Sequence, residues 1–85
     1  MSYVGNLTPR AARELRRLPS DVSRRVLEAV LALESDPRPP GSRKLAASDE
    51  WRIRIGDYRV RYRIDDSSRQ FTVTRIAHRR EVYRP

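Results

Sequence analysis

From Trp51 to Ile64 the chain reads WRIRIGDYRVRYRI, with large apolar residues alternating with arginine on both sides of a Gly56-Asp57 pair. Strict alternation marks a half-buried strand, and two such runs split by Gly-Asp predict a tight hairpin. A two-residue loop sets Ile55 opposite Tyr58, Arg54 opposite Arg59, Ile53 opposite Val60, Arg52 opposite Arg61 and Trp51 opposite Tyr62. Successive side chains point to opposite faces of a strand. Trp51, Ile53, Ile55, Tyr58, Val60, Tyr62 and Ile64 therefore make one apolar face, and Arg52, Arg54, Arg59, Arg61 and Arg63 make the other. Like charges directly opposite on paired strands are destabilising. Stability gives no reason to build such a face, which reads instead as a surface for a polyanion.

The rest of the chain supplies the cover for the apolar face. Ser2 to Leu7 predicts a short first strand. Thr8 and Pro9 read as a helix cap followed by proline at the first helical position. That helix is predicted to run to Leu18, with Ala11, Ala12, Leu15 and Leu18 as its buried stripe and Pro19 as its stop. Ser20 or Asp21 is expected to cap a second helix that carries Val22, Val26, Val30 and Leu33 on one face. It is expected to end near Ser35-Asp36, because Pro37, Pro39 and Pro40 cannot continue it. Arg38 to Asp49 reads as a proline-rich loop, and Asp65 to Ser68 as a turn. A last strand spans about Gln70 to Ala77. Phe71 and Val73 share a face that Ile76 would leave, so a bulge or a strand covered on both sides is expected near Arg75. The order is β-α-α-β-β-β, an α+β fold with an N-terminal strand, a helical hairpin and a three-stranded antiparallel meander.

Residues 1–85 read as one small domain, too short for a large core. There is no cysteine, hence no disulfide and no thiolate metal site, which fits a reducing, cytoplasmic setting. No apolar run approaches a membrane span, and MSYVGNLTPR lacks a signal peptide's apolar segment. The net charge is +8, from 19 basic and 11 acidic side chains, and Lys44 is the one lysine. Residues 1–50 hold nine basic and seven acidic side chains, whereas residues 51–85 hold ten and four. The excess thus sits in the strand-rich half, where a concentrated field draws in phosphates or an acidic protein.

The helical hairpin ending in LESDPRPPGSRKL, the run EWRIRIGDYRVRYRI and the closing RIAHRREVY together resemble the RelE/ParE superfamily of toxins from toxin–antitoxin pairs. The likeness spans nearly the whole chain and is tightest over 50–83. It implies a RelE-like microbial ribonuclease-type fold, in which a twisted antiparallel sheet packs on a helical hairpin. It also implies a cognate acidic antitoxin as partner, no membrane association and a toxin–antitoxin complex that binds operator DNA. In the RelE branch the implied activity is cleavage of mRNA in the ribosomal A site, without metal or other cofactor. The ribose 2′-OH attacks the adjacent phosphorus, which leaves a 2′,3′-cyclic phosphate and a free 5′-hydroxyl.

By that resemblance Arg59, in Gly-Asp-Tyr-Arg, is the phosphate clamp, a role suited to a guanidinium that makes two parallel hydrogen bonds to phosphate oxygens. Arg52 and Arg54 match the basic-x-basic pair around the scissile phosphate. Relatives carry lysines there; arginine keeps the charge but does not give up a proton. Arg79 matches the arginine at the leaving oxygen. Tyr83 matches the proposed general base, whose ordinary pKa of about 10 requires nearby cations, Arg54 being the nearest candidate. His78, with an ordinary pKa near 6.5, is an alternative acid or base. Arg61, Arg63, Arg80 and Lys44 are candidate RNA contacts, with solvated surface charge as the plainer reading of Arg61 and Arg63. Two other functions fit the pattern: a ParE-like inhibitor of DNA gyrase, and a module that grips RNA without cutting it.

Overall fold

In the computed structural model, which describes residues 2–84, the alternating run folds as the predicted hairpin. The elements in chain order are β1 (Val4–Leu7), α1 (Pro9–Arg16), α2 (Ser20–Ala32), β2 (Arg43–Lys44), β3 (Glu50–Ile55), β4 (Tyr58–Asp65) and β5 (Gln70–His78). They form one sheet in the order β1-β5-β4-β3-β2, with β1 parallel to β5 and every other pair antiparallel. The pairs from Trp51 with Tyr62 to Ile55 with Tyr58 fall in the expected register, and Glu50 with Arg63 adds one more. Gly56 turns the hairpin at φ +57°, a conformation that costs glycine little.

Local chemistry explains the ends of the elements. The Thr8 hydroxyl accepts the Ala11 N–H at 3.1 Å, and Pro9 opens α1 as read. Neither Ser20 nor Asp21 caps α2; the chain turns in at extended Pro19, whose carbonyl accepts the Ser23 N–H at 2.8 Å. Both helices stop earlier than their apolar stripes suggested. After Ala32, residues 33–35 tighten into i→i+3 bonds, which carry the stripe one turn past the regular helix. The two-residue β2 lies inside the segment expected to be loop. It is too short to show a period, and it forms because β3 offers an open edge at Trp51 and Arg52.

The irregularity expected near Arg75 is a bulge at Thr74. Arg61 pairs with Arg75 and Tyr62 with Val73, so Thr74 has no partner across the ladder. One extra residue returns Ile76 to the face of Phe71 and Val73, and all three are buried. The Thr74 hydroxyl donates to a Glu50 carboxylate oxygen at 2.9 Å on the other face.

Ala11, Val26, Val30 and Leu33 from the helical half meet Ile53, Ile55, Val60, Tyr62, Phe71, Val73 and Ile76 of the sheet. Tyr62 and Phe71 pack edge to face at 6.3 Å. A Cβ on Gly5 would stand 2.5 Å from the Phe71 ring, so β1 can lie beside β5 only with glycine there. The Tyr62 hydroxyl donates to the Pro37 carbonyl at 2.7 Å, and burial pushes that phenol up to about 12. Among the described residues no helix is long and apolar enough to cross a membrane.

Asp66 pins three distant segments together at the rim. Arg38 reaches both its oxygens, at 3.2 and 2.9 Å, while the Tyr3 hydroxyl donates to it at 2.6 Å. The Arg38 guanidinium also lies 5.1 Å from the Trp51 ring centre. Hydrogen bonds from Arg38 and then Tyr3 hold the Asp66 carboxyl down to about 2. A depressed carboxyl stabilises the fold above its unfolded value near 4, and that contribution is lost as pH falls through its folded value. Thermal melts from pH 5 to pH 2 are therefore expected to fall less steeply in Asp66→Asn than in the parent; parallel curves would show the pin to be inert.

Candidate functional site

The outer face of the sheet carries more arginine than the hairpin alone revealed. Arg43, Arg52, Arg61 and Arg75 stand side by side across β2, β3, β4 and β5. Arg54 and Arg59 form a second rank beside them. Such ranks repel, and two carboxylates quench one half of the first rank. Buried Glu50 accepts from Arg61 Nε at 2.8 Å and lies 2.7 Å from its Nη2, with Arg63 3.9 Å away. Glu14 accepts from Arg75 Nε at 2.9 Å, and its other oxygen takes the Ile76 N–H at 2.8 Å. That N–H lies on the edge of β5 that β1 leaves uncovered, so Glu14 closes the sheet as well as balancing the charge.

The other half of the face is left without counter-charge. Among the described residues, none of Arg52, Arg54 and Arg59 is ion-paired to a carboxylate. Arg52 is nevertheless only 5% exposed. Arg59 is held by its own hairpin, its Nη1 donating to the Gly56 and Tyr58 carbonyls at 2.9 Å each. Its pKa lies below the ordinary value, first because of burial and then because of Arg54 and Arg52; Arg79 adds to this, and Tyr83 opposes it. Four other residues singled out from the sequence thus bear on Arg59. An anion bound at Arg59 would offset both the cost of burying its charge and the repulsion.

Arg79 and Tyr83 arrive on a single turn after β5. The Arg79 N–H donates to the Asp57 carbonyl at 2.8 Å, and its Nε stands 3.9 Å from the exposed Asp57 carboxylate. Tyr83 is 55% exposed, with the Arg61 guanidinium 5.7 Å from its ring centre. Arg61, rather than the expected Arg54, is thus the cation stacked on that ring. An open cleft of about 360 Å³ lies beside it, lined by Arg10, Glu50, Arg61, Thr74, Tyr83 and others. On the far side of Arg52 and Arg54 a second, more apolar groove of about 460 Å³ runs between α2 and β3.

Other candidates fall elsewhere. His78 pairs with Tyr58 across the ladder and meets its ring edge-on at 5.7 Å, on the face opposite the arginines. Its Nδ1 accepts the Arg80 N–H at 3.2 Å, so it caps the turn. Lys44 pairs with Trp51, also off the arginine face, and donates to the Ser48 carbonyl. Arg63 and Arg80 are exposed. Sequence reasoning missed Arg43, Arg75, Glu14 and Glu50. Only Glu50 had left a signal, since it extends the alternation by one step onto the arginine face.

Comparison with known proteins fits this arrangement. Residues 6–83 match the family model described as the ParE toxin of the type II toxin–antitoxin system parDE. Toxin RelG of Mycobacterium tuberculosis is 34% identical over 88 residues, covering 99% of each chain. The toxin fold is similar to that in the archaeal RelE–RelB complex of Pyrococcus horikoshii, at a TM-score of 0.84 and 28% identity over 96% of this chain and 100% of that one. The RelBE2 toxin–antitoxin complex of M. tuberculosis gives 0.80 and 27% over 92% and 99%. A Gly-Asp-Tyr-Arg hairpin, a sheet of this order and matches over almost the full length agree, and the chain belongs to the RelE/ParE superfamily of toxins of type II toxin–antitoxin systems.

Proposed function

We propose that this toxin is a ribosome-dependent endonuclease that cuts mRNA in the A site. The observation that carries the reading is Arg59, half-buried and, among the described residues, without a carboxylate partner, paired with Arg54 across the hairpin and under the influence of Arg52, Arg79 and Tyr83. Phosphoryl chemistry of this kind needs positive charge where the phosphorane-like transition state gathers negative charge. Arg59 grips the phosphate, and Arg52 and Arg54 flank it. Tyr83 takes the 2′-OH proton as that oxygen attacks phosphorus. The bond from phosphorus to the 5′ oxygen breaks, and the leaving oxygen, stabilised by Arg79, ends protonated from solvent. The products are a 2′,3′-cyclic phosphate and a 5′-hydroxyl. Nothing in this sequence of steps requires a metal. His78, on the opposite face, is set aside as the base.

The test is primer extension on transcripts in a translating extract given the purified toxin. Cleavage that stops when translation is blocked supports the reading; intact transcripts with wild-type protein overturn it. The family match to a ParE toxin favours gyrase inhibition as a second reading, and loss of gyrase supercoiling on adding the protein would support it. The partner in either case is an antitoxin, as in the similar toxin–antitoxin complexes, and the net charge of +8 on this chain suits an acidic one. Beyond Arg52 the edge of β3 is unpaired by β2 and borders the apolar groove, a place where an extended segment can lie. Toxin and antitoxin together would then bind operator DNA, and the toxin would act in the cytoplasm, where ribosomes are.

A further inference from the structure

The half of the arginine rank that is already paired has its own task. Arg61 Nη1 donates to the Val82 carbonyl at 2.9 Å. Arg75 Nη1 reaches the same oxygen at 3.3 Å and the Arg84 carbonyl, while its Nη2 donates to the Glu81 carbonyl at 3.2 Å. Two guanidinium groups therefore hold the carbonyls of residues 81, 82 and 84, on both sides of Tyr83. Neither can swing away, because Glu50 fixes one and Glu14 the other. Val82 is fully buried, although Tyr83 next to it is exposed. The segment 81–84 is thus tied by cations rather than by a strand or a long helix.

We infer that Arg61 and Arg75 are positioning residues for Tyr83, acting through the backbone of residues 81–84 and not on RNA. The inference rests on the ribonuclease reading above. A phenol must sit within hydrogen-bond reach of the 2′-OH, and a misplacement of about 1 Å costs on the order of 10²-fold in rate. Releasing the carbonyls frees the turn and with it the phenol. It leaves Arg52, Arg54 and Arg59 to bind as before.

Arg75→Ala and Arg61→Lys test this, since lysine keeps the charge on Glu50 but cannot span to Val82. In single-turnover cleavage of ribosome-bound mRNA, Arg75→Ala is expected to lower the rate by roughly 30- to 100-fold. The half-saturating toxin concentration should move less than about twofold, and amide-exchange protection at Val82 and Arg84 should vanish. Arg61→Lys should fall about tenfold, with the same split. In a Tyr83→Phe background neither change should cost anything more. Glu14→Gln, which keeps the shape of the side chain, replaces Arg75→Ala where the alanine variant fails to fold. A raised half-saturating concentration with a salt dependence flatter by about one unit would mean that these arginines grip phosphate, and would overturn the inference. Losses fully additive with Tyr83→Phe would overturn it too. Wild-type cleavage with an equally active Arg75→Ala sinks the inference alone, whereas an inactive wild type sinks the ribonuclease reading beneath it.

Discussion

Replacing Arg59 with alanine is expected to lower transcript cleavage on translating ribosomes by about 10²- to 10³-fold, the usual scale for removing one preorganised charge donor at a reacting centre. The same change should leave the melting temperature within roughly 3 °C of the parent, a shift of well under 1 kcal/mol for a chain of this size. Both outcomes follow from the surroundings of the Arg59 guanidinium. Arg59 is partly buried and is pushed down in pKa by burial, Arg54 and Arg52, so the folded state gains little from its charge. Its bonds to the Gly56 and Tyr58 carbonyls orient the side chain, and water can replace them at the hairpin rim. Arg59→Lys should retain part of the rate, because an ammonium keeps the charge but loses the planar fork. Cleavage rates beside thermal melts decide the matter. A fall in melting temperature of 10 °C or more with cleavage preserved would make Arg59 a structural residue and remove the centre of the proposed site.

Glu50 is expected to behave in the opposite way. It is 9% exposed, and its two oxygens serve Arg61, Arg63 and the Thr74 hydroxyl at the bulge. Glu50→Ala leaves Arg61 between Arg52 and Arg75 with no counter-charge, in a rank where like charges already face one another. Breaking a buried ion pair by removing one partner costs about 3–5 kcal/mol. For a domain of this size that lowers the melting temperature by roughly 12 °C or more. Glu50→Gln should cost less, because the amide oxygen still accepts one of the three contacts. Calorimetric melts of both variants at neutral pH measure the difference. An alanine variant as stable as the parent would mean that the outer face needs no internal counter-ion, and the division of that face into a paired and an unpaired half would fail.

Much of the fold was legible because hairpin register is a local matter. Once Gly56 and Asp57 are the loop, every pair between Trp51 and Tyr62 follows, and the structure keeps each of them. The bulge was legible in outline, because Val73 and Ile76 cannot share a face without an extra residue between them. The strand at Arg43–Lys44 was hidden, since two residues carry no period. The residues of the candidate site divide in the same way. Arg52, Arg54 and Arg59 follow from alternation and motif, whereas the partners that separate the arginines into two sets come from distant positions. Glu14 lies 61 residues before Arg75.

By itself, then, the sequence determined which side chains share a face, that this face is rich in guanidinium, and which toxin superfamily the motifs resemble. Those properties depend on neighbours in the chain and on strand geometry. Tertiary structure alone decided which arginines are neutralised and which, among the described residues, stay unpaired, that His78 faces away, and that Arg61 and Arg75 hold the carbonyls on both sides of Tyr83. Counter-charge acts through space over a few ångströms, so its assignment waits until α1, β3, β5 and the last turn have come together.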